Sequence, residues 1–191
     1  MHANAHRFAP RLERFDDRCL PSVTAIQSGD TLQIQGDDLA NVITISDNVV
    51  IDAVTGEKGV VVSSGTQSWT FGSSVARIQV FTFGGDDTVN YSATGDLTAG
   101  RTVTANLGTR NDTFNANLDG LSVGIGVDML IQAIGDGGMD KFNVSAQGAS
   151  VGALASLFID LQGGKGKDAF TTNYATVTVD PTGLFSHTEA N

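Results

Sequence analysis

From Leu32 to Val179, apolar and polar residues alternate in short runs that break at glycine- and aspartate-rich turns, and the breaks recur in one frame. Four segments share it: Gly84-Gly85-Asp86-Asp87-Thr88-Val89-Asn90, Gly108-Thr109-Arg110-Asn111-Asp112-Thr113-Phe114-Asn115, Gly135-Asp136-Gly137-Gly138-Met139-Asp140-Lys141-Phe142-Asn143 and Gly163-Gly164-Lys165-Gly166-Lys167-Asp168-Ala169-Phe170-Thr171. Their aligned aspartates, Asp87, Asp112, Asp140 and Asp168, are 25, 28 and 28 residues apart. A fainter copy at Gly36 to Thr44 places Asn41 in the same position, 46 residues before Asp87, a gap with room for two shorter periods.

The frame reaches beyond the turns. Nine and seven residues before each aligned position stand Leu32 and Ile34, Ile78 and Val80, Val103 and Ala105, Ile131 and Ala133, and Ile159 and Leu161; two residues after it stand Ile43, Val89, Phe114, Phe142 and Phe170. All are apolar. Alternation on both sides of a turn predicts strand, turn, strand, with one face of each strand buried. Hairpins would not return the same residue class at near-constant spacing, whereas a coil closing once per period would. The prediction is an all-β fold: a short right-handed parallel β-helix, or β-solenoid, of about three to four coils. Successive coils stack about 4.8 Å apart, so Val89, Phe114, Phe142 and Phe170 form one interior ladder. Leu121 to Val127 and Val151 to Ala155 supply a third side.

An open stack needs end caps, because a bare β edge recruits other chains. Val49-Val50-Ile51, Val60-Val61-Val62 and Ser68-Trp69-Thr70-Phe71 read as N-terminal capping strands, and Asp180-Pro181 reads as a stop. The predicted organisation is a basic leader or disordered tail over 1–29, a β cap over 30–74, solenoid repeats over 75–180, and a tail over 181–191.

Composition agrees with turns and strands: 191 residues with 23 Gly, 3 Pro and 17% charged residues. The net charge of −10 lies in the body, since residues 1–18 carry four arginines against three acids. Such a body repels phosphate backbones and anionic membranes and attracts cations, so nucleic acid is not an expected partner. No apolar run approaches the ~18 residues of a membrane span. Cys19 is the single cysteine, which leaves no disulfide framework and no thiolate metal site.

The N-terminal segment lacks the apolar run of an ordinary secretory signal. Leu12-Glu13-Arg14-Phe15-Asp16-Asp17-Arg18-Cys19-Leu20-Pro21-Ser22 resembles the short LE-x-L-E-D-R-x-x-P-S leader of large repeat-rich bacterial surface and exported proteins, with Asp16 in place of the usual Glu. That resemblance implies export to the cell surface or exterior; the alternative is a disordered basic tail.

Residues Gly163 to Thr171 match the nonapeptide G-G-x-G-x-D-x-U-x at every defined position. In this the chain resembles the RTX, or haemolysin-type, calcium-binding repeats of secreted bacterial proteins. The resemblance implies Ca2+ held by Asp87, Asp112, Asp140 and Asp168, helped by Asp86 and Asp136, with Gly163, Gly164 and Gly166 shaping the turn. Aspartate supplies the hard anionic oxygen that calcium prefers, and glycine lets carbonyls face a shared pocket. The chain also departs from that family. Each period holds one motif rather than two per short coil, Arg110 replaces a glycine, and Lys141, Lys165 and Lys167 sit in or beside the last turns. The alternative is that Asp, Asn and Gly only build the turns, Asp capping local amides.

Catalysis has less support. His2, His6 and His187 fall in the expected tails, away from any core triad or zinc site, and Cys19 reads as an incidental leader residue. The expected function is a non-enzymatic exported structural or adhesive module, with calcium ions and cell-surface or matrix components as partners. The alternative is a small polysaccharide-active β-helix enzyme, a glycosidase or lyase. It would need two carboxylates in an open groove beside exposed aromatics, and the periodic phenylalanines point inward.

Overall fold

The computed structural model describes residues 22–191, and all regular structure there is β. The leader match except Ser22, together with His2, His6 and Cys19, lies outside the described residues.

Each period runs as predicted: a strand, the Gly/Asp turn, a second strand, then a short third one. The first-side strands Thr31–Gln35, Arg77–Phe81, Arg101–Asn106, Asp128–Ile134, Ser156–Gln162 and Leu184–Ala190 pair in parallel, with Thr24–Ser28 antiparallel at one edge, as a seven-stranded sheet. The second-side strands Val42–Val50, Thr88–Ala93, Thr113–Asn117, Lys141–Ser145 and Ala169–Asn173 also pair in parallel, and Lys58–Ser64 and Gln67–Phe71 complete a second seven-stranded sheet. Two-residue strands at Asp96–Leu97, Ser122–Val123, Ser150–Val151 and Thr178–Val179 make the third side, giving a β-solenoid of about four turns.

Register confirms the interior ladder. Ile43, Val89, Phe114, Phe142 and Phe170 are direct neighbours across the second sheet, and the rings of Phe142 and Phe170 stack 5.1 Å apart. On the first sheet Leu32, Ile78, Val103, Ile131 and Ile159 line up in the same way, all buried.

The ends differ from the sequence expectation. Thr31–Gln35 and Val42–Val50 are not part of a separate cap over 30–74; they pair in parallel with Arg77–Phe81 and Thr88–Ala93 as members of the stack. The 46-residue gap is one coil with an inserted antiparallel hairpin, Lys58–Ser64 with Gln67–Phe71, which covers the N-terminal edge and packs Trp69 against the core. Thr24–Ser28, inside the expected leader, covers the other N-terminal edge.

The expected tail over 181–191 contains a full strand, Leu184–Ala190, paired over seven residues with Ser156–Gln162. Its interior register positions are held by Phe185, His187 and Glu189, beside Leu157, Ile159 and Leu161. A Thr172 hydroxyl donates to Glu189 Oε1 at 3.0 Å across the end of the core. His187 and Glu189 are exposed at this end of the stack, which is why the segment lacks the apolar alternation of its neighbours.

Inside the N-terminal half sits an ion pair that the sequence pattern does not announce. Arg101 occupies the register position of Met129 and is buried. Its Nη2 donates to Asp47 Oδ1 at 2.9 Å, and its Nε lies 2.7 Å from Oδ2 as an ion-pair contact. The Tyr91 hydroxyl donates to the same Oδ2 at 2.7 Å. Burial, and then the Asp47 charge, raise the Tyr91 phenol well above its ordinary value.

Candidate functional site

The structure brings Asp87, Asp112, Asp140 and Asp168 into one column at the corner between the first and second sheets. Their carboxylates point at the backbone of the preceding coil. The amide of Asn41 donates to Asp87 Oδ1 at 2.7 Å, and the amides of Asp87, Asp112 and Asp140 donate to Oδ1 of Asp112, Asp140 and Asp168, each at 2.8 Å. Asn41 starts the ladder, its own Oδ1 accepting from the Asp37 amide at 2.9 Å. Asp87, Asp112 and Asp140 are each 1% exposed, and the Oδ2 atoms of all four aspartates are buried without a hydrogen-bond partner.

Such burial favours the neutral acid. It pushes Asp112 up to about 7 and Asp140 up to about 6, and raises Asp87 as well. The amide bonds pull the other way, and neighbouring carboxylates add to the rise.

Asp86 and Asp136 lie outside this column and are exposed. Asp86 Oδ1 accepts from the Asn111 amide at 3.2 Å, and Asn111 Oδ1 accepts from Met139 at 2.9 Å, a second, outer ladder one residue before the first. The turn carbonyls are also engaged: those of Phe83, Gly108, Asp136 and Gly137 accept from Thr109, Gly137, Lys165 and Arg110. This turn-on-turn stacking needs glycine. Gly164 and Gly166 adopt φ of 87° and 153°, and a Cβ at Gly166 would overlap the carbonyl of Gly138. Gly163 lies under Asp168, where a Cβ would overlap Oδ2.

Calcium requires six to eight converging oxygens. Among the described residues no three Asp, Glu, His or Cys side chains gather as a metal shell. Each Oδ1 is taken by an amide and four turn carbonyls by neighbouring turns, which leaves one unpartnered Oδ2 per coil, fewer converging oxygens than that ion needs in this arrangement.

A second surface lies on the outer face of the second sheet. There Thr44, Asn90, Asn115, Asn143 and Thr171 are consecutive neighbours in register, and so are Ser46, Ser92, Asn117, Ser145 and Asn173. Every one of these outward positions carries a small uncharged hydrogen-bonding group. The amides of Asn115 and Asn143 donate to Asn90 Oδ1 and Asn115 Oδ1, both at 2.8 Å. The rows line a shallow open trough of about 490 Å³. Its single carboxylate is Asp119, whose Oδ1 accepts from the Ser145 hydroxyl at 2.5 Å and the Gln147 amide at 2.8 Å. The signal was present in the sequence as the residues three and five places after each aligned position, beside the apolar ones used to find the fold.

Fold and surfaces together define a capped β-solenoid with a buried acidic corner and one uncharged polar face. Comparisons with protein-family models, curated proteins and solved structures return no match. No helix among the described residues is long and apolar enough to cross a membrane.

Proposed function

We propose that this chain is a non-enzymatic exported module of structural or adhesive character that works through the outer face of its second sheet. The observation carrying this reading is the uniformity of two adjacent rows on that face. Its two rows keep Asn, Ser or Thr across five strands, beside a third outward row, Val42, Thr88, Thr113, Lys141 and Ala169, that does not; on the first sheet one outward row changes freely, from Arg77 through Thr102 and Leu130 to Phe158, and another, Gln33, Gln79, Thr104, Gln132 and Asp160, stays polar but admits a charge. Repeats that diverge elsewhere and hold one chemistry here point to a surface that touches something.

Export rests on the leader resemblance at Leu12 to Ser22. A non-catalytic role is supported by the trough's lining: Asp119 is bound to its own neighbours and has no second carboxylate opposite it in the lining to act as acid or base. The coils are joined by the amide-to-carboxylate ladder itself, which supports a module whose stacking needs no bound ion.

Fractionation of the source cells, followed by binding of the purified chain to washed envelopes, tests this reading. The protein is expected in the surface or medium fraction and bound to envelopes. Recovery only from the cell interior, with no envelope binding, would remove it.

A further inference from the structure

We propose that the trough on the second sheet binds a neutral glycan chain, laid across the strands along the axis of the solenoid. This deepens the adhesive reading above and rests on it.

The chemistry of the lining selects the ligand. The chain carries a net charge of −10, yet the two rows hold no charged side chain, and the trough's lone carboxylate has one oxygen bound by Ser145 and Gln147. Anionic polymers find no Lys or Arg in the lining, and cationic ones find only the single carboxylate of Asp119 at one end of it. A folded protein or peptide partner would need an apolar or aromatic anchor, and these outward rows contain none. What the face does offer is a grid of paired donors and acceptors. Neighbouring coils are about 4.8 Å apart and successive outward residues on a strand about 6.6 Å apart.

A neutral polysaccharide presents the complementary object: uncharged, rich in hydroxyls, and repeating along its length at a spacing comparable to one coil. The Asn90, Asn115 and Asn143 amides are held in one orientation by their mutual hydrogen bonds, so little side-chain freedom is lost on binding. Asn143 still has its own carbonyl free to accept and Asn90 its NH2 free to donate among the hydrogen bonds of this row. Each sugar contact is individually weak because it replaces a contact with water. Repetition over five strands makes the site one for a chain rather than for a single sugar.

The test uses the full chain in affinity electrophoresis through gels containing soluble neutral glucan, xylan, mannan or galactan, with polygalacturonate as the anionic control. Retardation is expected in at least one neutral gel and not in polygalacturonate. The double variant N115A/N143A should lose at least tenfold in apparent affinity while still unfolding cooperatively, at a melting temperature lowered only by the loss of its two ladder hydrogen bonds, whereas Q132A on the first sheet should bind normally. Because these side chains face solvent, the melting temperature separates lost binding from lost folding; should the double variant unfold, the single variants N117A and S145A read the same face. Retardation by polygalacturonate alone, by no neutral polymer, or undiminished in the variants would overturn the proposal. So would ice-growth inhibition without glycan binding, which would assign the grid to an ice lattice. Envelope binding that neutral glycans cannot compete away would remove this inference and leave the adhesive module standing.

Discussion

The amide of Asp87 donates to Oδ1 of Asp112 at 2.8 Å, so the carboxylate of one coil holds the backbone of the coil before it. The same bond joins Asp112 to Asp140 and Asp140 to Asp168. This turns a repeated aspartate from a surface ligand into an internal joint, and its ionisation becomes part of the fold's stability.

Stability should therefore rise as pH falls from 8 towards 5. In the folded chain Asp112 and Asp140 take up protons near 7 and 6, well before the ordinary aspartate range in the unfolded chain. Raised values mean stability that is present at acid pH and lost as pH climbs through 6 to 7. Below about pH 4 the trend should reverse, because Asp160 is held below its ordinary value: burial opposes this, but bonds from Thr188, Gln132 and Gln162 outweigh it. Melting curves between pH 3 and 8 check both limbs. Asp112→Asn keeps an oxygen for the Asp87 amide without the charge, as Asn41 does in the first coil, and should flatten the slope above pH 5. Asp112→Ala removes the oxygen as well and should cost about 1–3 kcal/mol at any pH.

Millimolar calcium should raise the melting temperature no more than the same concentration of magnesium does. A metal bound only to the folded state would stabilise it by mass action. A calcium-specific shift, abolished by Asp140→Asn and Asp168→Asn together, would show that the turns rearrange to accept the ion.

Breaking the interior ion pair on one side should be severe. Arg101→Met leaves Asp47, which is fully buried, holding an unpaired charge, at a cost of about 3–5 kcal/mol. The double variant R101M/D47L should lose much less, because the charge goes with its partner. Urea denaturation of both variants measures the difference, and equal losses would mean that the pair is not coupled.

Deleting residues 184–190 should destabilise the chain by at least about 2 kcal/mol, since it uncovers Leu157, Ile159 and Leu161. A loose tail would be removed without consequence. The urea midpoint separates the two, and increased self-association should accompany the loss as the edge of Ser156–Gln162 becomes free.

The interior ladders were legible because three constraints recur together: an apolar residue on each side of the turn, a glycine within it, and an aspartate at its end. The last strand was not legible for a related reason. Leu184–Ala190 precedes no aspartate turn, and its inward places carry His187 and Glu189. A search keyed on aspartate and apolar pairs passes over it. The first coil was misdivided because the inserted hairpin stretches its period beyond that of the others. Arg101 reads from sequence as an exposed residue, and only the neighbouring register of Met129 and Leu157 reveals it as an interior one. Direction was the hidden property of the aspartates. Spacing alone cannot tell a carboxylate aimed at a neighbouring amide from one aimed at an ion.

The unequal ends have one more consequence. The hairpin and Thr24–Ser28 cover the N-terminal end, whereas Ala169–Asn173, Thr178–Val179 and Leu184–Ala190 are edge strands at the other end and present free backbone groups there. An in-frame duplication of a single 28-residue unit such as Lys141 to Asp168 would lengthen both rows by one place and leave the N-terminal cover untouched, which makes reach a property that tandem duplication can tune.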